Sequence, residues 1–321
     1  MIEVKHLVKQ YGTFRAVDDL SFVVEQGQIY GFLGPNGAGK STTMNIMTGY
    51  LSATSGAVRI AGHDMFLEPE EAKRHIGYLP EIPPVYPDMT PREYLRFAGE
   101  LKGVCRSSLE AEVERVMELT GITSMHRRLI GNLSKGYRQR VGVSCALLGD
   151  PEIIILDEPT VGLDPRQILD IRDLIRSLGG THTVILSSHI LSEVSAVCDH
   201  VLILSRGKLV AQGRPEELEQ LMRRSNRYRL LVQGAPDAVS AALRTAQALG
   251  SIEVQPDASG FSAVTVETEA STDPRIELFH LLAAADLPIM ELVSARASLE
   301  DVFLELTGGE SAGEKESGEL G

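Results

Sequence analysis

The sequence has few cysteines, and their spacing is irregular. Cys105, Cys145 and Cys198 lie far apart, are odd in number and form no C-x-x-C pair. This usage fits reduced thiols in a cytosolic protein and does not suggest a disulfide framework. We interpret the three as small core residues.

Basic charge and long apolar runs are also scarce. The chain has 31 Lys and Arg against 44 Asp and Glu, a formal net charge of -13. Nucleic-acid-binding proteins usually carry a basic face, so we expect no nucleic-acid partner. No apolar run approaches the roughly 18 residues of a membrane span, and no leader-like segment opens the chain. We therefore expect any membrane association to come through a partner protein.

The most informative segment of the chain is a glycine-rich loop that ends in a lysine and a serine. Residues 34–41 read GPNGAGKS and follow an apolar strand predicted over 28–33. The glycines let the backbone turn several N–H groups toward one anion, and Lys40 adds positive charge. A helix predicted to begin near Ser41 directs the positive end of its dipole to the same place. The pattern predicts a nucleotide triphosphate, with the Ser41 hydroxyl on Mg²⁺. The alternative is a glycine-rich turn that only joins a strand to a helix.

The apolar pattern predicts an α/β domain. Up to about residue 214, short apolar strands such as 153–157, 183–187 and 201–204 alternate with helices, which is typical of a sheet covered on both faces. Within it, we predict a helical insert over about 88–149. Two helix-start signals lie there, a Thr90 capping box with proline next and an S-x-x-E spacing from Ser107.

The pattern changes after a polar helix predicted over 215–226. The remaining elements follow the order β-α-β-β-α-β, a ferredoxin-like α+β arrangement. Its predicted elements are strand 228–232, helix 236–249, strands 252–255 and 263–267, helix 274–285 and strand 289–293, followed by a helix over 298–306. We expect a nucleotide-binding domain over 1–218, an accessory domain over 219–306 and a disordered tail over 307–321.

Two further segments suggest chemistry. The aliphatic strand before Asp157 and Glu158 delivers adjacent carboxylates to the edge where such sheets bind ligands. With a phosphate loop upstream, Asp157 is a candidate to hold Mg²⁺ and Glu158 to accept a proton from the attacking water. A solvated strand end is the alternative. Ser134 precedes a helix predicted over 138–148 and is either an ordinary N-cap or part of an anion site.

The order of four motifs indicates a family. GPNGAGKST, LSKGYRQR, IIILDEPTVGLDP and SSHILSE occur in this sequence across residues 1 to about 218. The chain thereby resembles the nucleotide-binding subunit of ATP-binding-cassette transporters. The resemblance implies a phosphate-loop ATPase core with a helical insert, bound ATP and Mg²⁺, and ATP hydrolysis.

The resemblance also implies a role for each matching residue. Tyr11 matches the aromatic that stacks on adenine, with a strand-end core residue as the alternative. Glu158 matches the catalytic glutamate, Asp157 the metal-holding aspartate and His189 the switch histidine on the γ-phosphate, although a lone histidine after a strand is more often structural. The phosphate loop supplies Gly34, Pro35, Asn36, Gly37, Ala38, Gly39, Lys40, Ser41 and Thr42, of which Thr42 is the weaker metal candidate.

The remaining matches concern a second copy of the subunit. Ser134 and Gly136 match the signature motif, which in this family reaches the γ-phosphate bound by the opposite subunit. Asp164 matches the aspartate loop that links the two sites. The resemblance therefore implies a homodimer or heterodimer closed by ATP, which drives a separately encoded membrane permease. It also implies a cytoplasmic location on the inner face of the cell membrane. The segment 88–103 lies where the family docks its permease, with core packing as the alternative.

Three positions, in two motifs, depart from the family pattern. Glu81 replaces the usual glutamine, where a carboxylate can still meet Mg²⁺, and in the signature Lys135 and Tyr137 replace the common glycine and glutamine. Lys135 is either a phosphate contact or an exposed helix-start cation. Together with the segment SLEDVF at 298–303, these departures resemble exporter ATPases of the gliding-motility and multidrug type.

Two other classes of function fit the sequence less well. A soluble cassette protein acting in translation or DNA repair usually shows tandem cassettes or a long coiled-coil insertion, and this sequence has neither. A nucleotide switch without turnover is disfavoured by the presence of both Glu158 and His189.

We predict that Glu81→Gln leaves ATP binding intact and changes ATP hydrolysis or its coupling to transport. The substitution removes a negative charge from the neighbourhood expected for the γ-phosphate. Hydrolysis and transport rates, measured beside the parental protein, test this. Parental values for both would refute a role for Glu81.

Overall fold

In the computed structural model of the chain, the described residues are 1–221, 225–244, 250–257, 260–269 and 273–295. They group into two compact units, one over residues 1–215 and one from residue 216 onward. The predicted domain boundaries at 218 and 306 stay predictions. The helix predicted over 298–306 and the tail lie outside the described residues.

The first unit contains two sheets and the helices that cover them. Its strands are β1 (Ile2–Tyr11), β2 (Phe14–Val24), β3 (Ile29–Leu33), β4 (Ser55–Ile60), β5 (His63–Asp64), β6 (Ile76–Leu79), β7 (Ile153–Leu156), β8 (Thr183–Ser188), β9 (His200–Ser205) and β10 (Lys208–Gly213). Its helices are α1 (Lys40–Met47), α2 (Pro69–Arg74), α3 (Pro91–Leu101), α4 (Leu109–Leu119), α5 (Lys135–Leu147), α6 (Pro165–Leu178) and α7 (Leu191–Val197).

The central sheet has six strands in the order β10-β9-β3-β8-β7-β6, and the predicted α/β core is confirmed. The strands are parallel except for β10, which pairs antiparallel with β9 at one edge. Every residue of β3, β7 and β8 is buried, as expected for strands covered on both faces. Their carboxyl ends therefore meet at one edge of the sheet.

A second, antiparallel sheet in the order β2-β1-β4-β5 was not expected from the sequence pattern. Its two long strands pair with register shifts, and His6 and Asp19 both have positive φ, 48° and 56°. Such irregularities interrupt the alternation of buried and exposed residues by which a half-buried strand is recognised. The pattern over residues 2–24 was weak for this reason.

The helical insert comprises α3, α4 and α5 with two short 3-10 turns, 123–125 and 130–132, between α4 and α5. The Thr90 capping box is confirmed: the Thr90 side chain accepts from the Glu93 N–H, and the Glu93 carboxylate accepts from the Thr90 N–H. The start predicted at Ser107 was wrong. The N-cap of α4 is Ser108, whose hydroxyl donates to the Cys105 carbonyl in the preceding turn.

The cysteine interpretation holds only in part. Cys198 is buried and Cys145 is half-buried, but Cys105 is exposed, so a core position for Cys105 was wrong. It lies in the turn between α3 and α4, with its sulfur 3.1 Å from the Ser107 hydroxyl oxygen.

The second unit has the predicted ferredoxin-like order. After α8 (Pro215–Leu221) it contains β11 (Ser225–Val232), α9 (Pro236–Leu243), β12 (Ile252–Pro256), β13 (Ser262–Glu269), α10 (Arg275–Ala284) and β14 (Ile289–Ala295). The sheet order is β12-β13-β11-β14, and each neighbouring pair is antiparallel. Extending the polar helix to residue 226 was wrong, because residues 225 and 226 already pair with β13.

The second unit has a core of its own. Apolar side chains from one face of the sheet pack with the inner faces of α9 and α10, among them Tyr228, Leu230, Val239, Val264 and Leu282. Across the described parts of both units, we find no helix with the length and apolar character needed to span a bilayer.

We predict that Thr90→Ala lowers the free energy of unfolding by about 1 kcal/mol, because the N-cap hydroxyl and its reciprocal partner are lost. Ser107→Ala is the matched control, since Ser107 does not cap a helix. We expect its cost to stay below about 0.5 kcal/mol. Urea unfolding of both full-length variants measures the difference, and equal costs would contradict the assignment of the cap.

Candidate functional site

The phosphate loop, residues 34–39, leaves the carboxyl end of the central strand β3 and enters α1. Gly39 is the residue before the helix, with φ of 99°, and a Cβ there would lie 2.5 Å from the Ala16 carbonyl oxygen. A Cβ on Gly34 would lie 2.6 Å from the Leu204 carbonyl oxygen. Positive φ and close backbone approach both require glycine, so neighbouring strands fix the curvature of the loop.

Lys40 lies inside this curve. Its side chain is only 5% exposed, and its Nζ donates to the carbonyl oxygens of Gly34 at 2.7 Å and Pro35 at 3.3 Å. The Glu158 Oε1 is 3.7 Å from the same nitrogen. Burial lowers the pKa of Lys40, and the nearby carboxylates of Glu158 and Asp157 act in the opposite direction. The ammonium is therefore held in place among oxygen atoms.

Ser41 and Asp157 meet as the sequence suggested. The Ser41 hydroxyl donates to Asp157 Oδ1 at 3.2 Å, and Asp157 is buried at the end of β7. Sequence reasoning missed Ser187, whose hydroxyl donates to the same oxygen at 2.6 Å. The Ser187 oxygen also accepts from the Glu158 N–H at 2.8 Å. The serine pair in SSHILSE, at the end of β8, was the available signal.

Glu158 follows in an unusual backbone conformation. Its φ is 47°, in the left-handed region that a residue with a side chain seldom adopts. Glu158 as a whole residue is 8% exposed, and its Oε2 is 3.0 Å from the Nδ1 of His189. Glu158 thus lies between the buried cation and the histidine after β8.

These groups surround one cavity of about 460 Å³. The predicted residues Tyr11, Glu81, Glu158 and His189 contribute to its lining, as do Phe14, Ala16, Val161 and the loop residues Asn36, Gly37, Ala38, Gly39, Lys40, Ser41 and Thr42. Within the part of the chain that the structure describes, the lining does not include Gly34, Pro35 or Asp157. Glu81 is exposed to solvent.

Two aromatic side chains flank the cavity. Tyr11 and Phe14 are paired across the hairpin of β1 and β2 and are 48% and 62% exposed. Tyr11 is therefore not a core residue. Phe14 was missed, and its position three residues after Tyr11 in a short hairpin was the signal that would have found it.

The oxygen ligands that Mg²⁺ prefers are present, but few. Ser41 and Asp157 supply a hydroxyl and a carboxylate in hydrogen-bond contact, and Glu81 lies on the cavity wall. Among the described residues, no cluster of three or more His, Cys, Asp or Glu side chains suits a metal ion. These groups fit a Mg²⁺ ion that takes its other ligands from phosphate and water.

The signature residues lie elsewhere in the unit. Ser134 is the N-cap of α5 and accepts from the Tyr137 N–H at 3.4 Å, while Asp164 is the N-cap of α6 and accepts from the Gln167 N–H at 3.0 Å. Within the described residues, the cavity lining does not include Ser134, Gly136 or Asp164. The Lys135 side chain extends over Gly162, in the loop that leads to Asp164.

A buried carboxylate joins the ends of β7 and β8. Glu193, in the first turn of α7, accepts from the Thr160 hydroxyl at 2.6 Å and from the Ser188 hydroxyl at 3.0 Å. Glu193 lies in the SSHILSE segment but was missed as a functional residue. Its position four residues after His189 was the only signal.

The region predicted to dock a permease contains both buried and exposed aromatic side chains. Tyr94 is buried and donates to the Pro84 carbonyl at 3.1 Å, whereas Tyr86 and Phe97 are 47% and 37% exposed and contact each other edge to face. Ile82 is 82% exposed. Part of this segment is core and part is an apolar surface.

Comparison with known proteins gives consistent matches. The profile described as ABC transporter matches residues 17–161. The bacitracin transport ATP-binding protein BcrA of Bacillus licheniformis is 34% identical, over 98% of this chain and 99% of that protein. The daunorubicin/doxorubicin resistance ATP-binding protein DrrA of Streptomyces peucetius is 33% identical, over 96% and 92%. A solved ATP-binding subunit of an ABC transporter is 31% identical with a TM-score of 0.62, over 69% of this chain and 92% of that chain.

The matches to BcrA and DrrA extend through the second unit as well as the first, whereas the solved structure covers a part of the chain the size of the first unit. The phosphate loop, the carboxylates after β7 and the histidine after β8 follow one another along the chain in the order of the four motifs that carry the resemblance. The chain therefore belongs to the ABC transporter family, as an ATP-binding subunit with ATPase activity.

Proposed function

We propose that this chain binds ATP with Mg²⁺ in the cavity at the end of β3 and hydrolyses it to drive a separate membrane permease of the exporter type. The observation that supports this most directly is the convergence of Lys40, Ser41, Glu158 and His189 on one cavity. These groups supply a cation, a metal ligand, a base and a further phosphate contact within one site.

Each of these residues has a different role in ATP hydrolysis. Glu158 accepts a proton from water, whose oxygen forms a bond to the γ-phosphorus as the bond to the β,γ-bridging oxygen breaks, which gives ADP and phosphate. Lys40 stabilises the charge that spreads over the phosphate oxygens. His189, in hydrogen-bond contact with Glu158, orients that carboxylate and contacts the γ-phosphate.

Ser41 and Asp157 would hold the Mg²⁺. When bound, this ion neutralises charge on the phosphate oxygens. Ser187 has a supporting role, because its hydroxyl contacts Asp157 Oδ1 and the Glu158 N–H together. It holds the two adjacent carboxylates in fixed relation to each other.

We further propose that two copies close around ATP. Ser134 and Gly136 are the residues that would reach a nucleotide held by the other subunit, and their absence from the cavity of their own chain is consistent with that use. The N-terminus of α5 offers unpaired N–H groups to an anion. Because ATP would bind the closed pair better than the open pair, binding favours closure.

The permease would contact exposed apolar side chains of this region, those of Ile82, Tyr86 and Phe97. The names of BcrA and DrrA refer to bacitracin transport and to daunorubicin/doxorubicin resistance, which supports the exporter assignment. The chain would then lie on the inner face of the membrane through its partner.

We predict that Glu158→Gln retains ATP binding within about threefold, lowers hydrolysis at least about 100-fold and increases the ATP-dependent dimer. The loss follows from removal of the general base. Glu152→Gln is the matched control. Glu152 is exposed just before β7, the strand that Glu158 follows, and it pairs with His75. Steady-state ATPase assays and gel filtration with ATP give the readouts. Parental hydrolysis by Glu158→Gln would refute the base assignment.

We also predict that Tyr11→Ala and Phe14→Ala each weaken ATP binding by about five- to tenfold, because each removes an aromatic surface on which a base stacks. Val23→Ala is the control, since Val23 is 44% exposed on the same strand as Phe14. Equilibrium titration with ATP measures the affinities. If Phe14→Ala binds as Val23→Ala does, then Phe14 has no contact with the nucleotide.

A further inference from the structure

Glu193 is a buried acidic residue that the reaction described above does not use. It is 5% exposed and lies in the first turn of α7. Its Oε2 accepts two hydroxyl hydrogen bonds, from Thr160 at 2.6 Å and from Ser188 at 3.0 Å. A carboxylate is seldom buried to this degree unless it is well hydrogen-bonded.

The two partners of Glu193 belong to different strand ends. Thr160 lies two residues after Glu158, in the loop that follows β7. Ser188 immediately precedes His189 and also accepts from the Ile190 N–H at 3.0 Å, which shapes the turn around the histidine. One carboxylate oxygen therefore joins the segment that carries Glu158 to the segment that carries His189.

The loop after Glu158 is internally braced. The Val161 N–H donates to the Glu158 carbonyl, and the Leu163 N–H donates to the Thr160 carbonyl, each at 3.2 Å. A displacement of Thr160 would consequently be passed to the backbone of Glu158. Hydrogen bonds to a charged acceptor are about twice as strong as neutral ones, so Glu193 restrains Thr160 firmly.

We infer that Glu193 is a positioning residue that fixes the loop after β7 and the turn before α7 in one arrangement, so that Glu158 and His189 face the γ-phosphate together. This inference rests on the proposed function of Glu158 and His189. Glu193 touches neither residue's reacting atoms; it acts through Thr160 and Ser188. Removal of the Glu193 side chain should slow hydrolysis. It should not weaken ATP binding, because Lys40 and the backbone of the phosphate loop provide that binding.

We call the two hydroxyl hydrogen bonds to Glu193, from Thr160 and from Ser188, its two arms. The decisive experiment removes each arm separately in the full-length chain and leaves Glu193 in place. Thr160→Val removes one hydroxyl, and Ser188→Ala removes the other, together with its hydrogen bond from the Ile190 N–H. We expect each to lower kcat about tenfold with ATP affinity unchanged within about twofold, since small misplacements of reacting groups cost rate rather than binding. Because cutting either arm breaks the same link, we expect the double variant to be little slower than the slower single variant.

Variants of Glu193 complete the test. We expect Glu193→Gln to keep kcat within about threefold, because an amide oxygen accepts both hydroxyls, and Glu193→Ala to lower kcat about 100-fold. Ser192→Ala, an exposed position on the same helix, should behave as the parental protein. If Glu193→Ala does not fold, the Thr160 and Ser188 variants decide alone.

Three results would overturn the inference: single-arm variants with parental kcat, losses that multiply to about 100-fold in the double variant, or ATP affinity that falls in step with kcat. Glu158→Gln, assayed in parallel, separates this from a failure of the proposed function. If Glu158→Gln hydrolyses ATP at the parental rate, the base assignment fails; if it is inactive and the two arms act independently, only the role of Glu193 fails.

Discussion

Parallel pairing of β3 with β8 and of β8 with β7 is the constraint on which the site depends. In this register Leu33 pairs with Ser188, and Leu156 pairs with Leu186. The phosphate loop, the two carboxylates and the histidine follow these residues directly along the chain. Backbone hydrogen bonds thus bring three segments to one sheet edge, before any contact between their side chains is considered. The phosphate loop is more than a hundred residues away in sequence from the other two segments.

The second requirement is electrostatic. Lys40 is buried among carbonyl oxygens, and two acidic residues are buried beside it. An isolated buried charge would be costly, so each of these groups depends on the others and on nearby hydroxyls. The two serines at the end of β8 matter for this reason. Ser187 forms hydrogen bonds with Asp157 and with the Glu158 N–H, and Ser188 forms one with Glu193.

Sequence predicted the parts of this arrangement that local rules control. The glycines of the phosphate loop, the buried strand before Asp157 and the Thr90 capping box each have a spacing that follows from backbone geometry, as does the β-α-β-β-α-β order of the second unit. It did not reveal the antiparallel sheet, whose alternation is broken at His6 and Asp19. Ser187 and Glu193 were missed because their importance arises from partners distant in the chain. Phe14 was missed because the hairpin that pairs it with Tyr11 was not predicted. Ser107 misled because its S-x-x-E spacing is one residue out of register with the actual cap.

The left-handed backbone at Glu158 has a consequence of a different kind. A residue with a side chain in this region costs on the order of 1 kcal/mol relative to glycine, and neighbouring hydrogen bonds maintain it. Glycine at this position would relieve the cost but, if Glu158 is the base as proposed, would also eliminate turnover. Selection for a working ATPase therefore preserves a residue that a search for thermostability would discard, and stabilising the scaffold is better pursued away from this edge of the sheet.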